Sequence, residues 1–97
     1  VKQVWKFKVA TFPFGIAKIE MPAYAEVVKV GFQDRWLMIW ALVDPDAKRK
    51  EVRRFKVYGT GHGIRENAKH VWTWFDENGP FVWHLFEIKG RGEEGEN

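Results

Sequence analysis

The stretch Trp36-Leu-Met-Ile-Trp-Ala-Leu-Val43 is apolar at all of its positions. Successive side chains of a strand point to opposite faces, so a strand apolar on both parities is expected at the centre of a sheet, covered on both sides. Reading outward, Phe32-Gln-Asp-Arg35 turns the chain into this segment. Before that turn, residues 26–32 alternate, with Val28, Val30 and Phe32 on one face and Lys29 on the other. After the segment, Asp44-Pro-Asp46 is a turn signature, because proline presets the φ of the first central residue. Residues 52–59 then pair back, which places Lys48, Arg49 and Lys50 on an exposed hairpin tip.

The rest of the chain has the same two-residue period. Trp5, Phe7 and Val9 alternate with Lys6 and Lys8, and Ala17, Ile19 and Met21 form a second short inward row beyond the loop Thr11-Phe-Pro-Phe-Gly15. The last third reads as a hairpin, 69–75 and 81–89, across Asp76-Glu-Asn-Gly79. There Asn78-Gly79 is expected to supply positive φ, and Pro80 sits at a strand start, where it costs no ladder donor. Residues 65–69 fit one helical turn or plain loop. The expected fold is all-β, with about seven antiparallel strands in a small sandwich or partly closed barrel. One domain spans residues 1–89, followed by a disordered acidic tail, 90–97, that has no apolar residue to bury.

Composition narrows the chemistry. The chain has no cysteine and no serine, which removes disulfides, thiolate metal sites and both the cysteine and serine triads. No apolar run approaches the roughly 20 residues that span a bilayer. A soluble, cytoplasmic protein with no membrane partner is therefore expected. Residues 1–89 hold 15 bases and 10 acids, a net charge of +5, more basic than the whole chain at +3. That balance favours an anionic partner. It is small for a duplex DNA binder, and no recognition helix is signalled.

The loop Gly59-Thr-Gly-His-Gly63 is the most singular segment. Three glycines expose backbone N–H groups and remove side chains that would block a ligand, so the loop suits a phosphate or another anion, with the Thr60 hydroxyl and His62 as further partners. It is neither a Walker loop nor a dinucleotide fingerprint, and the competing reading is a tight turn that needs positive φ. Beside it, Arg53, Arg54, Lys56 and Tyr58 belong to the strongest charge cluster, and strand parity puts Arg54, Lys56 and Tyr58 on one face. Trp5, Trp36 and Trp40 are read as core filler. Trp72 and Trp74 share parity with His70 and are candidates for a stacking platform or an oligomer contact. His84, between Trp83 and Leu85, is read as a hydrogen-bonded core residue. His62, His70 and His84 lack the spacing that prealigns metal ligands on one element, so no metal or other cofactor is expected.

Four stretches carry a resemblance: Val4-Trp-Lys-Phe7; Gly31-Phe-Gln-Asp34 with Trp40-Ala-Leu-Val-Asp-Pro45; Arg54-Phe-Lys-Val-Tyr-Gly-Thr-Gly-His62; and Gly79-Pro-Phe-Val-Trp-His-Leu-Phe-Glu87. Through them the chain resembles a family of small uncharacterised bacteriophage and prophage proteins, the Gly-Thr-Gly-His loop and the Pro-Phe-Val-Trp-His strand being the more specific parts. The resemblance implies a phage origin and a compact β fold, with no activity to carry over. By looser analogy, the domain is similar in design to small phage proteins that sequester nucleotide second messengers of bacterial immunity.

The expected function is therefore a non-enzymatic, homo-oligomeric phage protein that sequesters an anionic, nucleotide-like small molecule. Its site would comprise Gly59, Thr60, Gly61, His62 and Gly63 with Arg53, Arg54, Lys56, Tyr58, Trp72 and Trp74. The alternative is a protein-interaction module that inhibits a host protein through an exposed aromatic face.

Overall fold

A computed structural model describes residues 1–90 of the chain. Seven strands form: β1 (Gln3–Lys8), β2 (Ala17–Pro22), β3 (Glu26–Gln33), β4 (Trp36–Val43), β5 (Lys50–Gly59), β6 (Ala68–Phe75) and β7 (Val82–Ile88). All pairings are antiparallel, in one sheet of order β1-β4-β3 and another of order β2-β5-β7-β6. The expected all-β fold is therefore a two-sheet sandwich without a closed barrel. Among the described residues no helix forms, so residues 65–69 are loop and strand, and no helix is long and apolar enough to cross a membrane. The expected acidic tail, apart from Gly90, lies outside the described residues.

The core fills the space between the sheets. Ala17, Ile19 and Met21 on β2 alternate inward as expected, and they meet Val30, Ile39, Ala41, Phe55 and Leu85 in one buried cluster. At one end an aromatic chain bridges the sheets, with Phe12 edge-on to both Phe32 and Trp83 and Phe32 edge-on to Trp74. Edge-to-face contacts of this kind match the positive ring edge to the negative ring face and fill space densely.

Two bulges shift the faces that strict alternation assigns. On β3 the register slips between Val27 and Lys29, so Val27 packs on the core with Val30 and Phe32, while Val28 is exposed. On β6 it slips between His70 and Trp72, which turns Trp72 and Trp74 inward and leaves His70 and Thr73 on the outer face. A bulge opposes two residues to one, and a single extra residue reverses every side chain beyond it.

The tryptophan expectation is corrected accordingly. Trp5 lies at an edge and Trp36 is 50% exposed, so neither is core filler, while Trp40 is half-buried on the face of β4 that points away from the core. The turn expectation also changes. Positive φ occurs at Asp34 and Arg35, in the two-residue turn between β3 and β4, and at neither Asn78 nor Gly79. The β6–β7 turn is instead closed by Asp76, whose carboxylate accepts from the Asn78 N–H at 3.1 Å.

Strands β5 and β6 both pair antiparallel with β7 and therefore run in the same direction, with β7 between them. Gly59 lies level with Trp83 and Ala68 level with Ile88, so residues 60–67 must return along five residues of β7, about 17 Å. The inner face is filled by the other sheet, which sends this connection over the outer one. Tyr58 and Ile88 on that face are each only 5% exposed.

Candidate functional site

Strand β2 meets β5 no further along than Ala17 opposite Phe55, so the end of β5, from Lys56 to Gly59, has no strand on that side. A cleft of about 380 Å³ opens along this free edge. Its far wall is Pro13, Phe14 and Gly15 from the β1–β2 loop, and its floor and near wall are Lys56, Val57, Tyr58, Gly59, His62, Gly63 and Trp83. Gly59 points its N–H to the open edge, and the two-residue strand period sends the main-chain groups of Val57 the same way. The His62 Nδ1 accepts that N–H at 3.2 Å, so the neutral ring carries its proton on Nε2.

The glycines have separate reasons. A Cβ on Gly59 would stand 3.1 Å from the His62 ring, so this glycine permits the imidazole to fold back on the strand. Gly61 has φ +92°, the left-handed backbone a tight turn asks of glycine, and the turn is closed by the His62 N–H donating to the Gly59 carbonyl at 3.1 Å. Gly63 has neither constraint and lines the cleft. Gly59→Ala is expected to displace the His62 ring while changing stability by less than about 1 kcal/mol, since the site is at the surface. The His62 imidazole resonances beside a denaturation curve check both halves.

The cationic and aromatic partners divide. The Lys56 ammonium is 5.5 Å from the Tyr58 ring centroid, beside the cleft. Arg53, one residue out of phase, points into the sandwich. There it donates from Nε and Nη2 to the two Glu87 carboxylate oxygens, both at 2.8 Å, and from Nη1 to the Ala25 carbonyl at 2.6 Å. Arg54 is on the outer face level with Lys18 and Ile88, away from the glycine loop. Trp72 and Trp74 are on the inner face and reach neither the loop nor the cleft.

Phe14, Pro13, Gly15 and Trp83 are cleft residues that the sequence reading did not include. Phe14 is 81% exposed, and the signal was there to be used, since two phenylalanines in a Pro/Gly loop are too apolar for a purely solvated turn. Trp83 also borders a second cleft, of about 410 Å³, lined with Gly59, Thr60, His62, Pro80, Phe81 and Val82. The glycine–histidine loop thus forms the ridge between two hollows.

Behind that ridge a polar row crosses the outer face. His70 Nε2 is 2.8 Å from Thr73 Oγ1, Thr73 Oγ1 is 2.9 Å from His84 Nδ1, and His84 Nε2 is 2.8 Å from Thr60 Oγ1. The Thr60 hydroxyl also donates to the Val82 carbonyl at 3.4 Å. That bond fixes the direction of the others. His84 Nε2–H gives to Thr60, and with one proton on that ring Thr73 gives to His84 Nδ1 and accepts from His70 Nε2–H. His84 is hydrogen-bonded as expected, but on the outer face. Among the described residues no group of three His, Asp or Glu side chains could hold a metal ion.

A model of the domain of unknown function DUF7352 matches residues 1–96. The chain belongs to the DUF7352 family. No curated protein and no solved structure matches it. The part of the DUF7352 domain that departs furthest from plain strand and turn is the cleft at the free end of β5, where loop, strand edge and aromatic wall meet.

Proposed function

We propose that this DUF7352 domain is a non-catalytic binding protein that takes an anionic, nucleotide-like small molecule into the cleft between the 59–63 loop and Phe14. The observation that carries the reading is the convergence of a cation, a ring N–H donor and aromatic walls on one unpaired strand edge. Lys56 supplies the charge for a phosphate, His62 Nε2–H a directed hydrogen bond, and Phe14 with Trp83 the apolar surface for a flat ring. Sequestration of such a ligand, in a phage-encoded setting, is the finer form of the same proposal.

Calorimetry against a panel of cyclic nucleotides and ADP-ribose derivatives tests it, with binding expected at micromolar protein. Lys56→Ala and His62→Ala are each expected to weaken that binding about tenfold or more, the scale of one lost hydrogen bond to a charged group. A flat titration across the panel would dismiss the reading. A second reading, a protein-interaction module, is favoured by the exposed Phe14, Phe75 and Phe81. Pull-down separates the two, because a sequestering protein returns a small molecule and an inhibitor returns a polypeptide.

A further inference from the structure

Strand β4 is expected to be covered on both sides, and among the described residues the second sheet covers one of them and leaves the other part-exposed. Leu37, Ile39, Ala41 and Val43 are buried, whereas Trp36, Met38, Trp40 and Leu42 alternate onto the outer face of the β1-β4-β3 sheet, away from the second sheet. The surface they form is a central apolar stripe bearing two indoles. Its flanks are basic. Lys6 on β1 and Lys29 on β3 are the cross-strand neighbours of Trp40, and the Lys8 ammonium stands 3.9 Å from the ring centroid of Trp36. Glu26, level with Leu42 at one end, is the acid among the outward strand positions of this sheet.

Charge selects the occupant. A second copy laid face to face would set Lys6, Lys8 and Lys29 against an equally basic surface with one glutamate per copy to answer them, and like charges in contact oppose association. An acidic peptide would meet the lysines and leave the indoles without a flat partner. A nucleic-acid strand meets both, phosphates at the lysines and bases at the ring faces. Trp36 and Trp40 are four residues apart on one strand, about 13 Å, a spacing that lets separate bases use each ring. The bases must be unpaired, since a duplex hides their faces. We infer that the outer face of the β1-β4-β3 sheet binds single-stranded nucleic acid, with bases stacked on Trp36 and Trp40 and phosphates held by Lys6, Lys8 and Lys29.

This surface belongs to the sheet that does not carry the cleft, so the two proposals fail separately. The probe is a fluorescein-labelled oligo-thymidine of about twelve nucleotides, followed by anisotropy and by protein tryptophan emission across a salt series. Binding is expected to quench the tryptophans and to weaken with salt at a log–log slope of about −0.7 for each phosphate neutralised. The triple variant Lys6→Glu, Lys8→Glu, Lys29→Glu is expected to abolish binding. Trp40→Leu, which keeps the stripe apolar, is expected to weaken it about tenfold or more, and Val52→Ala, at an exposed position of the other sheet outside both sites, to leave it unchanged. Circular dichroism confirms that each variant is folded.

Several results would overturn the inference. They are no anisotropy change at low salt and high micromolar protein, unaltered binding by the folded triple variant, or binding without tryptophan quenching. Polyglutamate binding as tightly as the oligonucleotide would assign the face to acidic peptides, and a dimer that Trp40→Leu dissociates would assign it to a second copy.

Discussion

Arg53→Ala is expected to destabilise the domain by about 3 kcal/mol, the lower end of the scale for removing one partner of a buried ion pair, since this pair is part-buried and Glu87 keeps a second cation nearby. Glu87, 7% exposed and level with Phe55 on the strand pair, would lose its two short hydrogen bonds and keep only the half-exposed Lys89 ammonium at 3.5 Å, and the Ala25 carbonyl would lose its donor too. At about 4–8 °C per kcal/mol for a domain of this size, the melting temperature falls by more than about ten degrees. Arg53→Met combined with Glu87→Leu should recover most of the loss, because apolar replacement removes both charges together.

The pair also gives a pH signature. Burial pushes the Glu87 carboxyl up, but the hydrogen bonds from Arg53, then the charges of Arg53 and Lys89, outweigh it and hold the group below its ordinary value. A carboxyl depressed in the folded state stabilises fully above its unfolded value, near 4.3, and that contribution is lost as pH falls through the lower folded value. Thermal melts from neutral pH into the acid range should show the extra acid sensitivity in the native protein and lack it in the Arg53→Met, Glu87→Leu variant.

Phe55→Ala should be comparably severe, at about 3–5 kcal/mol, the range for a large aromatic removed from a core. Phe55 is 0% exposed on β5, between Ala17 of β2 and Glu87 of β7. Alanine beside alanine leaves a hole, and the hole adjoins the ion pair, so collapse around it would disturb the Arg53 geometry. Against a typical total of about 5–15 kcal/mol, this brings the domain close to unfolding at room temperature. Urea denaturation is the measurement, with a lower midpoint and unchanged slope expected. Val52→Ala on the same strand, where the side chain is 60% exposed, is the control and should move stability by no more than about 0.5 kcal/mol.

How much of this was legible in the sequence follows from the range of each signal. Strand positions come from local alternation and turn residues, and all seven strands could be read that way. Faces are harder. The bulges at Val28 and Val71 reverse parity, and nothing in the residue types at Val27-Val-Lys29 or His70-Val-Trp72 marks one extra residue. In β4 both faces are apolar, so alternation could not say which of them the second sheet would cover. In the site, the glycine–histidine loop was legible because its backbone needs are local. Arg53 and Arg54 are the same residue type side by side, and Glu87, 34 residues further on, separates an inward, ion-paired arginine from one on the outer face. Phe14 and Trp83 come to the cleft from distant parts of the chain, which alternation along one strand cannot relate.

The position of β7 between β5 and β6 also sets an order of events on the ribosome. The β1-β4-β3 sheet has all its strands once Val43 has been made, whereas the other sheet lacks an inner strand until Ile88 emerges. Until then β5 and β6 stand apart with unpaired edges turned toward each other, bridged by the 60–67 connection. Sealing that gap joins residues far apart in the chain and belongs late in folding. A nascent chain stalled before Val82 would therefore hold half a sandwich with an open seam, a form that a chaperone or a protease can distinguish from the finished domain.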